Sequence, residues 1–179
     1  MSCPITLAGI SLSCESSVGG LKTIYLVQSD DVTDVTLNEE GTMISNITLK
    51  SPAKWLEYQF RRGTSSFTST LNADETTGNN FVSSEITLVF TKMETSKRIE
   101  VQAMSIGQLA AIVIDSNGKA WYFGKRGLQD DYVSASAGTG QTGTAKSDSN
   151  NYTITLSTES EQWPFEIDPT KIDTIIAGA

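Results

Sequence analysis

The chain has 179 residues, a formal net charge of −8 and no histidine; 38% of its residues are hydrophobic and 19% are charged. That length supports one domain with a real hydrophobic core, and the acidic balance argues against a protein whose main task is to grip a nucleic-acid backbone or an anionic membrane surface. The missing histidine removes the commonest general base, the Ser-His-Asp and Cys-His nucleophile systems, and the commonest transition-metal ligand.

The stretch to about Gly20 holds Pro4, paired serines and Gly19-Gly20, and reads as an irregular arm. Its start, MSCPITLAGISLSC, has the apolar content of a secretion signal without a basic n-region, and Pro4, Thr6, Gly9, Ser11 and Ser13 interrupt it. Cys3 and Cys14 are too few for a disulfide framework or, without histidine, a zinc site. They read as reduced, structurally incidental thiols, although a bridge between them would close a small loop. No run approaches the roughly 18 apolar residues that span a bilayer.

LKTIYLVQ (Leu21–Gln28) then reads as a strand, and SDDVTDVTLNEEG as an acidic loop with short extended pieces. TMISNITLK (Thr42–Lys50) alternates as a strand, broken by Ser51-Pro52. KWLEYQFRRG (Lys54–Gly63) sets Leu56, Tyr58 and Phe60 against Trp55, Glu57, Gln59 and Arg61, the period of a half-buried strand. TSSFTSTLN (Thr64–Asn72) follows at once, and the two runs are expected to pair around Gly63. FVSSEITLVFTK (Phe81–Lys92) sets Ile86, Leu88 and Phe90 against Glu85, Thr87, Val89 and Thr91.

The alternation stops at METSKRIEVQAMSIGQ (Met93–Gln108). Thr95 or Ser96 suits a helix cap, Gly107 suits its end, and Ile99, Ala103 and Ile106 mark the stripe expected to pack on a sheet. LAAIVID (Leu109–Asp115) and KAWYFG flank Asn117-Gly118, which predicts a hairpin with a type I′ turn. Trp121 and Phe123 then share one strand face, and Ala120 and Tyr122 the other. The aromatics therefore read first as core and subunit contact, with a ligand platform as the alternative. GLQDDYVSASAG continues extended. Gly138–Asn151 is a polar, glycine-rich loop of fourteen residues, long enough to be functional or flexible. NYTITLSTE (Asn151–Glu159) is a strand, and a C-terminal extension over about 160–179 holds Trp163-Pro164-Phe165 and a short apolar run.

No constellation carries catalysis, a metal or a cofactor. Asp30-Asp31, Glu39-Glu40 and Asp130-Asp131 read as solvated loops, because adjacent strand residues point to opposite faces. SDDVTD and DSNG offer oxygen ligands but no EF-hand spacing. Gly138 and Gly143 have P-loop spacing, but Thr144 stands where the lysine belongs, and a strand follows. The basic pairs Arg61-Arg62, Lys97-Arg98 and Lys125-Arg126 suit ion pairs between subunits.

Eight to ten strands and one helix make residues 1–179 a single, mainly β domain of sandwich or barrel type with a flanking α-helix and a long β-hairpin. The element order through EITLVFTKMETSKRIEVQAMSIGQLAAIVIDSNGKAWYFG, the glycine/serine-rich loop and NNYTITLSTESEQWPFEI resembles that of the tail tube (major tail) proteins of tailed bacteriophages, over roughly Lys54 to Ile167. The resemblance implies a β-sandwich that forms stacked hexameric rings, with hairpins lining the lumen. It implies a virion protein made in the host cytoplasm, with no catalysis or cofactor. Its partners would be further copies and other tail proteins (tape measure, terminator), with transient passage of DNA and no membrane. On that basis Lys54–Asn72 with Phe81–Lys92 is expected to build much of the lumen sheet, with Glu57 and Gln59 unburied, and Gly138–Asn151 to sit at a ring interface or outside. A net charge of −8 suits a conduit that repels phosphate. Two other classes remain open. One is another virion part, such as a terminator, neck or head-decoration protein. The other is a carbohydrate-binding or adhesion module using Trp55, Trp121 and Trp163.

Overall fold

The computed structural model describes residues 7–178 apart from 75, 128 and 130. Among the described residues the chain forms eleven strands, two α-helices and a short 3-10 helix over Ser29–Asp31. Five strands make one sheet in the order β11 (Phe165–Glu166), β8 (Ala120–Phe123), β7 (Leu109–Asp115), β1 (Leu21–Gln28), β4 (Leu56–Gln59). Four make a second, in the order β5 (Ser66–Asp74), β6 (Asn79–Thr91), β10 (Asn151–Ser160), β9 (Ser134–Gln141). A third is the β2–β3 hairpin (Val32–Leu37 and Ile44–Leu49). Helix α1 spans Thr95–Ile106 and α2 spans Ile172–Ala177. The protein is mainly β, as the alternation predicts.

The five-stranded sheet is the middle of three layers because its strands are apolar on both faces. On one side Ile24, Leu26, Ala111, Val113 and Phe123 meet Ile86, Leu88, Ile154 and Leu156 of the four-stranded sheet. On the other, Val27, Ala110, Ile112, Ala120 and Tyr122 meet Ile44 and Ile47 of the β2–β3 hairpin and Ile175 of α2. Central strands buried on both faces read as continuous apolar runs, which is why LAAIVID shows no alternation. The segment from Trp163 onward is built into this second core: Ile167 and Ile175 are buried, and Arg126 lies over the Phe165 ring at 4.2 Å.

The β7–β8 hairpin forms with the expected faces: Trp121 and Phe123 pack in the first core, Ala120 and Tyr122 in the second. Its turn differs from expectation. Gly118 alone has positive φ, at 83°, its amide donates to Asp115 O at 3.1 Å, and Asp115 N donates to Lys119 O at 2.9 Å. This is a three-residue loop closed by a glycine bulge, and Asp115 Oδ1 favours it by accepting from the amides of Asn117 and Lys119. Beyond the hairpin, Gly124 has a φ of 147°, and a Cβ there would lie 2.8 Å from the Ala110 Cβ and 3.0 Å from Tyr122 Oη. We expect Gly124→Ala to cost about 1–3 kcal/mol in urea denaturation through strain and overpacking; a change under about 0.5 kcal/mol would contradict this packing.

Several expectations are corrected. Lys54–Gly63 and Thr64–Asn72 do not pair around Gly63: β4 joins β1 and β5 joins β6. The break falls there because Trp55 is buried in the second core while Tyr58 and Phe60 pack on the first, so this segment is needed in the two-faced sheet. Helix α1 buries Met104, with Val101 packed against the first core, and leaves Ile99 and Ile106 exposed. Its seat is fixed from outside the apolar pattern, by Tyr58 Oη donating to Glu100 Oε2 at 2.7 Å. Glu94, without a side-chain cap bond, holds the cap position, and Gly107 ends the helix in an extended conformation. Finally, Gly138–Gln141 belongs to β9, which shortens the loop to residues 142–150. Helix α2 stands where sequence showed only an apolar run.

Candidate functional site: the outer face and open edges of the four-stranded sheet

One face of the four-stranded sheet is core. The other is assembled by register into cross-strand rows: Thr70–Ser83–Glu159, Thr68–Glu85–Ser157–Ser134, Ser66–Thr87–Thr155–Ala137 and Val89–Thr153–Thr139. These rows are mostly small hydroxyl side chains, hold two carboxylates and contain no Lys or Arg. Such a face is wet and weakly acidic, with no basic side chain in its rows to anchor a phosphate.

Both edge strands are open. Among the described residues β5 pairs only with β6, and β9 only with β10. Val89 N donates to Ser65 Oγ on the β5 side at 3.2 Å, so the odd residues of β6 turn their backbone groups toward β5. In an antiparallel ladder Ser66, Thr68, Thr70 and Asn72 then use their amides on β6, while Phe67, Ser69, Leu71 and Ala73 turn theirs to the open edge. Long edges with free backbone groups are templates for another strand.

The β5–β6 hairpin also overshoots the body. β10 ends opposite Val82, so Asn79–Phe81 lack its cover, and Leu71 and Phe81 are exposed. The tip is stiffened by Asp74, which accepts from Thr76 N at 2.8 Å and Thr77 Oγ1 at 2.9 Å. The residue 142–150 loop is built likewise around Asp148, which accepts from Thr144 N at 2.8 Å and Ala145 N at 2.7 Å. These backbone donors hold both carboxyls below their ordinary range.

Of the segments expected to share one sheet, Ser66–Asp74 and Asn79–Thr91 do so, together with β9 and β10, whereas Leu56–Gln59 lies in the other sheet. Glu57 and Gln59 are exposed. The first half of β9 lies in GLQDDYVSASAG, which reads as extended; its second half, Gly138–Gln141, reads as loop because glycine carries little strand propensity. Asp30, Glu39 and Glu40 are exposed, while Asp130 and Cys3 lie outside the described residues; Cys14 is an exposed free thiol. Lys97 turns to Thr91 O and Glu94 within its own chain, and Arg126 to Gln129, Gln162 and Phe165; Arg61, Arg62 and Arg98 are exposed. The three tryptophans do not form one platform: Trp55 is buried, whereas Trp121 and the exposed Trp163 border one shallow depression. No helix among the described residues is long and apolar enough to cross a membrane. No protein-family model, curated protein or solved structure matches the chain.

Proposed function

We propose that the protein is a structural, self-assembling subunit whose four-stranded sheets join edge to edge into a ring around a hydroxyl-lined lumen, and that stacked rings form the tail tube through which a phage delivers DNA. The observation that carries this is the stagger of the two open edges. β5 lies level with Asn79–Thr87 of β6, and β9, through β10, lies level with Glu85–Thr91. Joining β9 of one copy to β5 of the next, centre to centre, shifts each copy by about five residues, ~17 Å, over four strand spacings, ~19 Å. That gives a strand tilt of about 40°, inside the 35–45° that closed barrels use.

Strand directions also fit. The four strands alternate, so β9 meets a neighbouring β5 antiparallel and every junction repeats the last. Such a head-to-tail contact uses two different edges and closes into a ring when the rotation allows. Closure would also remove both exposed edges. The face turned inward would then be the one without Lys or Arg, suited to passing a polyanion without holding it.

The test is negative-stain electron microscopy of the purified chain over a concentration series. Hollow tubes or stacked rings are the expected result. Single rings would shift the role to a terminator, neck or head-decoration part. A monomer at every concentration would overturn the assembly and favour the second reading, a glycan-binding module. That reading rests on Trp121 and Trp163 bordering one depression, and glycan-array binding would check it.

A further inference from the structure

We propose that the arm over residues 7–19 of one copy docks on a second copy, adding along the open edge of β4 and filling the apolar groove between β4 and α1. This rests on the self-assembly part of the preceding reading and adds a second, independent junction to it.

The arm is a segment in search of a surface. It has no regular structure, and Leu7, Ile10 and Leu12 are 85%, 103% and 96% exposed. In extended chain Ile10, Leu12 and Cys14 share one face and Ser11 and Ser13 the other, the pattern of a half-buried strand. The same chain carries a matching vacancy. Among the described residues β4 pairs with β1 on one side only, which leaves its outer backbone groups open. Beside that edge, Leu26, Leu56, Tyr58, Ala103, Met104 and Leu109 line a groove, with Leu56 57% exposed. Strand addition supplies backbone hydrogen bonds, and the groove takes alternate side chains.

Charge points the same way. Lys54 precedes β4 and Arg61 and Arg62 follow it, all exposed, while the only charged residue of the arm is Glu15. Opposite charges at the ends of a strand junction favour it over antiparallel self-pairing of two β4 edges, which would set Lys54 of one copy against Arg61 and Arg62 of the other.

The path of the arm sets the partner as a second copy. Asn117 clamps the arm root: Val18 N donates to Asn117 Oδ1 at 2.9 Å, and Asn117 Nδ2 donates to Val18 O at 3.1 Å. Ser116 N and Oγ add bonds to Gly20 O, both at 3.0 Å. This turn belongs to β7 and β8, which lie on the opposite side of β1 from β4. The clamp therefore sends the arm away from its own groove. Reaching that groove in the same copy would break these bonds, and the arm would run parallel to β4 in a sheet whose other pairs are antiparallel.

Disulfide trapping tests this. In a chain with Cys3→Ser and Cys14→Ser, the pair Ile10→Cys and Leu56→Cys should give, on mild oxidation of assembled protein, a covalent ladder that reductant collapses. Ile10→Cys with Ser45→Cys should give none. A monomer band with free thiols, or a fast-running intramolecular disulfide, would overturn the proposal. Independently, Leu7→Ser/Ile10→Ser/Leu12→Ser should keep the monomer Tm and raise the concentration needed for assembly at least tenfold; unchanged assembly would also overturn it. Tubes that form without a ladder would defeat the arm junction alone. A wild-type chain that never assembles would defeat both junctions.

Discussion

Leu71→Pro is expected to abolish assembly while leaving a folded monomer. Leu71 sits on the open edge of β5, opposite Val82, at a position whose amide faces away from β6. Proline there removes no bond within the subunit, and edge strands tolerate it. Its side chain is largely exposed, so little packing is lost. The monomer should lose about 1 kcal/mol or less. A neighbouring strand, in contrast, would meet a missing donor and a ring where the ladder must continue. A net contribution of ~0.5–1.5 kcal/mol per hydrogen bond, together with the steric block, would weaken each junction tenfold or more, and a ring repeats the junction at every copy. Circular dichroism should show native spectra, and light scattering should show no assembly at concentrations where wild type forms it. Normal tubes from this variant would remove β5 from the junction.

The second large effect concerns the outer face. Glu85→Lys with Glu159→Lys changes the formal charge by four per copy, from −8 to −4, and places two amines among the hydroxyl rows. The expected outcome is tubes that retain short duplex DNA at ~50 mM salt and release it as salt rises, because affinity contributed by phosphate contacts falls steeply with ionic strength. Wild-type tubes should retain none. The location is read by nuclease: DNA held in a lumen is protected, and DNA held outside is digested. Bound but digestible DNA would put this face on the exterior and overturn the conduit. Failure of the variant to bind DNA at low salt would show that the face is closed off by contacts between copies.

How far the sequence carried depends on what each segment had to bury. β6 and β10 were plain because each has one core face and one wet face, so hydrophobicity alternates. The β7–β8 hairpin was plain in position, through Asn117-Gly118, but its turn type was decided by the Asp115 carboxylate, a bond no dipeptide preference encodes. β4 looked like the first arm of a hairpin with β5 because both alternate. Only the burial of Trp55 and Tyr58 on opposite sides of one sheet separates them. Helix α1 was found, but its buried stripe was misread: Ile99 and Ile106 are the more apolar choice, while Val101 and Met104 face the sheet. The candidate surface was least legible of all. A wet face needs no apolar signal, and β9, exposed along most of its length, could be composed of glycine and small polar residues.

The Asn117 clamp also has a consequence on the scale of shelf life. Asparagine is among the thermolabile residues, and a following glycine leaves its side chain open to attack by the next backbone nitrogen. Attack expels ammonia as a cyclic imide forms, and water then opens that ring to leave a carboxylate in place of the amide. The Val18 carbonyl, which now accepts from that nitrogen at 3.1 Å, would face an acceptor instead. One uncatalysed reaction at the Asn117-Gly118 turn would thus loosen the root of the arm by one bond, leaving Val18 N on Oδ1 and Ser116 on the Gly20 carbonyl. The turn that anchors the arm is also where the molecule would age.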